Sequence, residues 1–579
     1  MPARAELTLA ALGLIHHCSA KSLYELASAR GVTPDESWNV YTLAKALIEP
    51  GAVWHQLSHL GRSTLLVVDE LRQKRGQATV ELPWGVADPN GDGLRPEVTH
   101  AVDTFSSEWE ASMAQPGPPA PHTSMTSAPD QAEALRQTLP RIIDALDELE
   151  LAITLVAYND ISQRTPSGPL LAKALGHLDP EVSADWDEAA DWGIWSGFLV
   201  HHGGSWWVSD AALDFVAAEH SAQLATLANL WWARCDNAVQ AELARALADQ
   251  FPPTSLANYA RTYFPLLDAS TLSNFFERGH RLGALSGHRG TALLGYLIEG
   301  KNLADAVEPL LPQPAPGVYL DSVDSVVGAG PLSRDHREKL GLVARCVRAG
   351  MTPRWVIDRD VVLRSLSAMS AGDLCDQLGA VIIGGVPESL RHQIHDWESR
   401  AQSLVLSPDF PGTVLRCADH YLSELLLVDQ KLNTLHLART DDTILMSQRD
   451  IGQTRRVLLD SGYPTLPGDV TAPSPRVRTT PQATPLPESW WVNIIASAND
   501  MPRNAVWTED VLRDAIAERT LLALAVRVGD TERHMVVEPR SIAGGRLRVK
   551  DTAVDVERTL PLDTIVSINP AQRPLTKNA

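Results

Sequence analysis

Hydrophobic residues recur at intervals of three and four through much of the first half of the chain, which is the spacing of amphipathic helices. The stretches 22–32, 40–50 and 58–76 have this spacing, and a long helix is predicted over 140–160. In 58–76, the basic residues and the glycine at the end are typical of a helix C-terminus. We therefore predict a mostly helical N-terminal half.

Strand-like alternation first appears in FLVHHGGSWWVSD (198–210), around a Gly-Gly pair that is typical of a tight hairpin. The hairpin follows predicted helices at 140–160, 167–178 and 185–197, and this is the order of a winged helix. Residues 272–297 repeat the order in a shorter form, as helix, hairpin and helix. The sequence thus indicates two winged-helix-like units.

Helices and strands mix in the C-terminal half. Between 316 and 470, helices such as 361–379 and 387–400 alternate with strands such as 432–439, which predicts an α+β domain. After residue 508, one helix and several short strands with Gly and Asp turns predict a small SH3-like β-barrel.

Two segments rich in Pro, Ser and Thr, 113–131 and 471–489, are typical of linkers. They divide a chain that is too long for a single core. We predict a helical domain at 1–112, a winged-helix-like domain at 132–222, a second helical or winged-helix-like domain at 223–315, an α+β domain at 316–470 and a β-barrel at 490–579. The fold class is therefore multidomain α+β.

The charge is unevenly distributed along the chain. The net charge is −21, and most of it lies before residue 316, whereas 471–579 contains nearly equal numbers of acidic and basic residues. An acidic surface repels phosphates at long range. We expect any nucleic-acid contact to be local and to lie towards the C-terminus.

The five cysteines are far apart and form no C-x-x-C pair, which is typical of reduced thiols. No run of about 18 apolar residues and no cleavable signal sequence is recognisable. We expect a cytoplasmic protein, compatible with association with the nucleoid, that has no membrane partner.

The motifs of a nucleotide-driven motor are incomplete. LLVVDEL (65–71) resembles a strand that ends in magnesium-binding acids, but no G-x-x-x-x-G-K-[ST] loop occurs to hold phosphates. Lys301 follows Gly300 but precedes Asn302. H-E-x-x-H and G-x-S-x-G are also absent. We predict a helix at 65–71, no catalytic residue, no cofactor and no enzymatic activity.

Two patterns resemble metal sites in part. DPNGDGLRPEVT (88–99) has the early ligands and the glycine of a calcium loop, but Thr99 stands where a bidentate Glu is needed. His392 and His395 share a helix face without a cysteine or an acid placed to complete a site. We predict no metal site.

The clearest candidate for nucleic-acid binding is GRLRVKD (545–551). On a strand, Arg546, Arg548 and Lys550 point to one face, and Arg558 at the start of the next strand is placed to extend the row. Such a row suits a phosphate backbone. The solvated outer face of a half-buried strand has the same pattern, and the sequence leaves this alternative open.

A second candidate set surrounds the shorter helix–hairpin unit, where Arg278, Arg281 and Arg289 would tolerate a phosphate. The first unit instead combines five tryptophans with four acids between residues 185 and 207. Carboxylates are unfavourable beside phosphates. We therefore predict that these tryptophans form core and a protein-binding face.

Residues 316–470 resemble a domain similar to the N-terminal region of XPB-type DNA helicases, as found in bacterial helicase-associated proteins. The stretches that carry the resemblance are VVLRSLSAMSAGDLCDQLGA, VPESLRHQIHDWESR, TVLRCADHYLSELL and RRVLLDSGYP. Residues 508–568 resemble a WYL-type barrel through VLRDAIAER, EPRSI and RTLPLDTIVSI, with Arg546–Leu547–Arg548 near the place of the name-giving Trp-Tyr-Leu. WYL-type modules are linked to ligand sensing and to single-stranded DNA binding.

These resemblances imply a bacterial accessory protein of DNA metabolism or repair. We predict that it docks a partner such as an XPB-type helicase or another repair protein and contacts DNA weakly, in single-stranded form, through its C-terminal region. Two alternatives stay open: a transcriptional regulator of the WYL and winged-helix type, and a scaffold that binds only proteins.

Overall fold

The computed structural model describes residues 4–73, 82–87, 93–114, 128–159, 161–162, 167–235, 237–248, 260, 262–287, 289–366, 369–409, 412–467, 476–478, 486–499, 506–529 and 531–571. The architecture is mixed α+β, with several small, mainly antiparallel sheets. The chain divides into two compact units. Unit 1 contains 1–125, 235–276 and 481–579, and unit 2 contains 126–234 and 277–480.

The helices in chain order are α1 (Arg4–His16), α2 (Ala20–Ala29), α3 (Val40–Leu47), α4 (Pro50–Ser58), α5 (Arg62–Arg72), α6 (Pro96–Thr104), α7 (Ser106–Met113), α8 (Ala128–Tyr158), α9 (Gly168–Leu178), α10 (Trp186–Ser196), α11 (Asp210–Val216), α12 (His220–Ala233), α13 (Asn237–Ala248), α14 (Ala269–Arg281), α15 (Ala292–Ile298), α16 (Leu303–Val307), α17 (Arg334–Gly341), α18 (Arg359–Ser365), α19 (Ala371–Gly379), α20 (Glu388–Gln402), α21 (His420–Val428), α22 (Ile451–Asp460), α23 (Glu488–Asn499) and α24 (Val506–Glu518).

The strands are β1 (Leu199–His202), β2 (Ser205–Val208), β3 (Leu285–Ser286), β4 (Arg289–Gly290), β5 (Val318–Ser322), β6 (Ser325–Gly328), β7 (Ala344–Arg348), β8 (Arg354–Ile357), β9 (Leu404–Asp409), β10 (Gly412–Cys417), β11 (Ala438–Asp441), β12 (Ile444–Ser447), β13 (Leu466–Pro467), β14 (Leu522–Val528), β15 (Thr531–Ala543), β16 (Arg546–Asp551), β17 (Val556–Pro561) and β18 (Ile565–Pro570). Short 3-10 helices lie at Glu308–Leu310, Gln430–Leu435 and Leu562–Thr564. No helix among the described residues is long and apolar enough to cross a membrane.

In unit 1, the beginning and the end of the chain share one hydrophobic core. Helices α1 to α3 pack with α23, α24 and the C-terminal sheet, and Leu23, Leu43 and Leu512 are completely buried there. A polar contact reinforces the packing, because Asp514 of α24 accepts hydrogen bonds from Lys45 (2.9 Å) and from the Tyr41 hydroxyl.

A second core in unit 1 is formed by α4 to α7. The predicted helix over LLVVDEL is confirmed as α5, which buries Leu65 and Val68. The Asp69 carboxylate accepts a hydrogen bond from the Trp109 indole at 3.0 Å, so this acid has a structural partner.

The C-terminal sheet of unit 1 is antiparallel, in the order β17-β16-β15-β14-β18. A 3-10 turn connects β17 to β18. These two strands form opposite edges and do not pair with each other over the described residues. The described strands therefore form an open sheet, and the predicted closed barrel is not formed by their pairing.

In unit 2, the predicted hairpin at 198–210 is confirmed as β1 and β2, with Gly203 and Gly204 at positive φ in its turn. The second predicted helix–hairpin–helix segment, 272–297, contains α14, the β3–β4 hairpin and α15 in the predicted order. The two predicted linkers lie largely outside the described residues. Within them, α8 begins at Ala128, and 476–478 joins the edge of β2, where Val208 exchanges hydrogen bonds with the backbone of Arg476 and Arg478.

The α+β part of unit 2 contains a four-stranded sheet, β5-β6-β8-β7, and a five-stranded sheet, β11-β12-β10-β9-β13. Each packs on its own core. The prediction of a single helix over 361–379 was wrong, because α18 ends at Ser365 and α19 begins at Ala371. Ser370 starts α19 because its side chain and that of Asp373 form a capping box.

Candidate nucleic-acid interface

Strand β16 alternates as its sequence predicts. Leu547 and Val549 are completely buried against the core of unit 1, whereas Arg546 and Arg548 are exposed and Lys550 is half-buried. The three cations therefore form a row, which we call the basic row, on the outer face of the C-terminal sheet.

Arg558 does not extend the basic row, and this part of the expectation was wrong. In the antiparallel register, Arg558 lies opposite Val549, so its side chain is on the inner face. There its Nε atom is 3.2 Å from the Asp551 carboxylate. The turn after Asp551 sets this register, and a one-residue change in register would have put Arg558 on the other face.

Two members of the basic row have acidic neighbours. The Arg548 Nε is 3.0 Å from Glu557, and the Lys550 Nζ is 2.6 Å from Asp555. Arg546 has no ion pair within the described part of the chain. Exposed pairs of this kind contribute about 0–1 kcal/mol, so a phosphate can compete with the carboxylates.

A slot of about 550 Å³ opens at Asp551, the residue that follows Lys550 of the basic row. Its floor follows from the register of β18, β14 and β15 on the outer face: Ala525 lies between Ser567 and His534, and Ala523 lies between Asn569 and Val536. Because Ala523 and Ala525 have small side chains, the middle of the floor is recessed. The turn after β16 forms a wall, because Thr552 donates two hydrogen bonds to the Val536 carbonyl, at 3.0 Å from its N–H and 2.8 Å from its hydroxyl.

Arg533, His534 and Arg558 line the slot. His534 pairs with Ala525 on the outer face, whereas Arg533 pairs with the core residue Val526 and so starts from the inner face, like Arg558. Arg533 and His534 are exposed, and neither has an ion pair or a side-chain hydrogen bond within the described ranges. Sequence reasoning missed the slot. The signal was present in LALAV (522–526), where small residues alternate with large ones on a strand.

The second candidate set has a different environment. Both terminal nitrogens of Arg278 are 3.1 Å from the Asp191 carboxylate, and Arg281 reaches Glu188 at 2.9 Å and Asp191 at 2.7 Å. Burial alone would raise the pKa of Asp191, but the hydrogen bonds from the two arginines outweigh it and lower that pKa. Arg278 and Arg281 are thus occupied by the acids of α10.

The same arginines alternate with tryptophans in a continuous stack, which we call the Trp–Arg ladder. Its order is Arg234, Trp195, Arg278, Trp192 and Arg281, with guanidinium-to-ring distances of 4.3, 4.8, 5.3 and 5.1 Å. Each such cation–π contact contributes about 0.5–1 kcal/mol or more. The ladder joins α10, α14 and the C-terminal end of α12, so these tryptophans have a structural role.

Arg289 is exposed in the β3–β4 hairpin and has no partner among the described residues. It remains accessible to a phosphate, together with Arg546. His288, beside it, lies outside the described residues.

Of the two partial metal patterns, that of His392 and His395 lies within the described residues. Residues 88–92 of the calcium-like stretch lie outside the described residues. His392 is 3.3 Å from Glu388, and His395 is 3.8 Å from Glu398, and both pairs lie within α20. Over the residues that the structure describes, no group of three His, Cys, Asp or Glu side chains is arranged to hold a metal ion.

No protein-family model matches this chain, and no curated protein is significantly similar to it in sequence.

Proposed function

We propose that this chain is a non-catalytic accessory protein of DNA metabolism that contacts single-stranded DNA weakly through the outer face of its C-terminal sheet. The observation that carries the proposal is the position of the basic row and the floor of the slot on one outer face of the sheet. A strand that crosses this face meets Arg546, Arg548 and Lys550 along its phosphates and the slot along its bases.

The expected binding is weak and sensitive to salt. Each phosphate neutralised on a single strand contributes about 0.7 to the salt slope, so three contacts give about 2. The net charge of −21 opposes the accumulation of DNA elsewhere on the protein.

Two further features support the DNA-metabolism assignment. The C-terminal order of one helix, four consecutive antiparallel strands, a 3-10 turn and a fifth strand that pairs with the first fits the SH3-like, WYL-type resemblance. The α+β part of unit 2 resembles the XPB-type N-terminal region, and an XPB-type helicase or another repair protein is the partner that we propose. That partner supplies the motor, because the chain lacks a phosphate-binding loop.

The DNA contact is tested by changing Arg546, Arg548 and Lys550 together to Glu. We expect the affinity for a labelled single-stranded oligonucleotide to fall and the salt slope to flatten. The matched control changes three exposed helical arginines to Glu, namely Arg136, Arg400 and Arg513, which gives the same change in charge. Equal losses in both variants, or no loss in either, would rule out the basic row as the interface.

The partner is tested by affinity capture with the full chain from a native lysate of its source. Recovery of a motor ATPase, lost when the α+β part is altered, is the expected result. Hydrolysis of ATP or separation of duplexes by the purified chain alone would contradict the non-catalytic assignment.

The size of the slot favours one second candidate, a ligand-sensing transcriptional regulator. About 550 Å³ lies within the usual range of about 300–1,000 Å³ for small-molecule sites. This candidate requires a specific duplex footprint that depends on Arg289 and changes with a small ligand. A footprinting experiment with genomic fragments distinguishes it from the weak, sequence-independent binding that we propose.

A further inference from the structure

Two histidine rings lie close together at the C-terminal end of α4, in unit 1. His55 is in the last turn of the helix and His59 is its C-terminal capping residue, so the two are one turn apart. The ring centroids are 4.4 Å apart, and the ring planes are tilted by 41° to each other. His55 is exposed and His59 is partly exposed, so solvent ions have access to the pair.

Backbone carbonyl groups determine which nitrogen of each ring carries the hydrogen. The Nδ1 atom of His55 is 3.1 Å from the Ala29 carbonyl oxygen, and the Nδ1 atom of His59 is 2.7 Å from the His55 carbonyl oxygen. A carbonyl oxygen only accepts hydrogen bonds, so Nδ1 is the donor in both rings. The Ser58 hydroxyl, 3.3 Å from the His59 Nδ1, donates its own hydrogen to the His55 carbonyl and therefore does not compete.

In a neutral imidazole whose Nδ1 is protonated, Nε2 carries the free lone pair. Neither Nε2 atom has a hydrogen-bond or ion-pair partner among the residues that the structure describes. Histidines that bind metal ions typically donate their other ring N–H to a carbonyl or a carboxylate, which holds the ring in place. His55 and His59 both have this second contact already.

The spacing of the two rings suits a single ion. With Zn–N bonds of about 2.0–2.1 Å, a tetrahedral ion holds two nitrogen atoms about 3.3 Å apart, less than the 4.4 Å between the ring centroids. The lone pairs lie in the ring planes, and tilted planes converge whereas parallel planes do not. The net charge of −21 also favours the approach of cations.

We propose that His55 and His59 bind one divalent transition-metal ion through their Nε2 atoms. Neutral imidazole suits Zn²⁺, Ni²⁺ and Cu²⁺, whereas Mg²⁺ and Ca²⁺ prefer oxygen ligands. Over the described part of the chain, no third His, Cys, Asp or Glu side chain completes the site. Structural and catalytic zinc sites use four or three protein ligands, so this pair forms an exchangeable site in which water fills the remaining positions.

A purely structural role for the pair is also defined by the geometry. The last carbonyl groups of a helix lack partners within the helix, and a ring N–H at that end satisfies one of them. This role uses Nδ1 alone, whereas the metal site uses Nε2 of both rings. A metal titration therefore separates the two roles, because capping of the helix does not require a metal ion.

Calorimetric titration of the full-length chain with Zn²⁺ tests the site. We expect the unchanged chain to bind one ion more than the double variant His55→Gln/His59→Gln, and each single variant to weaken that binding by about tenfold or more. The matched control is the double variant His16→Gln/His17→Gln. Its rings are also 4.4 Å apart, but they belong to adjacent residues, whose side chains leave the backbone in different directions.

A second titration with Ni²⁺ separates the histidines from the five free cysteines, since thiolates favour Zn²⁺ and imidazole suits both ions. We expect the same dependence on His55 and His59 for Ni²⁺. Binding of either ion that the variant His55→Gln/His59→Gln retains in full would assign the ion to other groups and overturn the proposal.

Thermal unfolding with and without Zn²⁺ keeps the test valid if His59→Gln lowers the stability of α4, because each variant is compared with itself. An ion that binds only the folded chain raises its Tm. We expect this rise in the unchanged chain and in the variant of His16 and His17, and its loss in the variant of His55 and His59. No Zn²⁺ binding, or an equal loss in the control, would also overturn the proposal.

Discussion

At the residue scale, the ionic neighbours of each arginine determine what it can bind. Arg278 shares Asp191 with Arg281 and stacks between Trp192 and Trp195. Arg289 has none of these contacts within the described residues. The two arginines therefore differ in function although they lie in one short helix–hairpin unit.

Arg278→Gln should destabilise unit 2 by about 1–3 kcal/mol, because it breaks the Trp–Arg ladder and leaves Asp191 with one partner. Arg289→Gln, the control, should stay within about 0.5 kcal/mol of the unchanged protein. Hydrogen exchange of peptides from α10 and α14 measures both. If Arg278→Gln instead weakened DNA binding at unchanged stability, Arg278 would be a phosphate ligand.

Glu148 on α8 makes one part of the stability depend on pH. Burial, with Asp185, Asp144 and Glu188 nearby, raises the pKa of Glu148 to about 7. The pKa of a glutamate in an unfolded chain is about 4.3. Folding therefore takes up a proton between about pH 4 and 7, and the stability that Glu148 contributes at low pH is lost as the pH rises through about 7.

Glu148→Gln removes this loss. We expect the variant to be more stable than the unchanged protein by about 1 kcal/mol at pH 8, a value reduced for solvent screening, and nearly equal to it at pH 5. Denaturant unfolding at the two pH values checks this. Glu133→Gln, an exposed change on the same helix, should show no such difference, and a Glu148→Gln effect that is equal at both pH values would refute the assignment.

At the element scale, the turn between β7 and β8 docks onto α8 through backbone groups. Asp147 accepts a hydrogen bond from the Gly350 N–H at 3.1 Å, and Asp144 accepts one from Met351 at 2.7 Å. Gly350 has φ +89°, and an added methyl group would overlap the Asp144 side chain and lie 2.9 Å from its Cα atom. Only glycine fits both the conformation and the contact.

Gly350→Ala should therefore destabilise unit 2 by at least about 2 kcal/mol more than Gly384→Ala. Gly384 has a similar φ of +97° but open space around it, so the control isolates the conformational part of the loss. Denaturant unfolding of the two variants gives the difference. Equal losses would mean that the turn moves away from α8 without penalty.

Elements whose patterns are local could be predicted from the sequence. The alternation of β16 gave the faces of Arg546 and Lys550, since a strand has a fixed period of two. The face of Arg558 could not be predicted in the same way, because it depends on the register across a turn. The Trp–Arg ladder also escaped prediction, because Arg234 belongs to a helix that no local pattern connects with Trp195.

At the scale of the whole molecule, the largest core of unit 1 joins segments that are far apart in the sequence. The periodicity of α1 to α3 predicts helices with one apolar face, but it does not say which surface covers that face. The structure covers it with α23, α24 and the C-terminal sheet, more than 400 residues later in the chain. A helical domain and a sheet domain that look separate in the sequence thus share one core.

Because the core is shared, we expect a core substitution at one end of the chain to lower the stability of elements at the other end. Leu43→Ala in α3 removes a fully buried side chain and should lower the local stability by about 2–5 kcal/mol. Because Leu43 belongs to the same core as Leu512 and Leu524, hydrogen exchange should accelerate in α24 and β14 as well as in α3. The control is Leu65→Ala, an equally buried change in the core of α4 to α7, which should accelerate exchange there and much less in β14. Unchanged exchange of β14 in Leu43→Ala would mean that the N-terminal helices and the C-terminal sheet unfold independently, and the basic row would then belong to a domain that is stable without them.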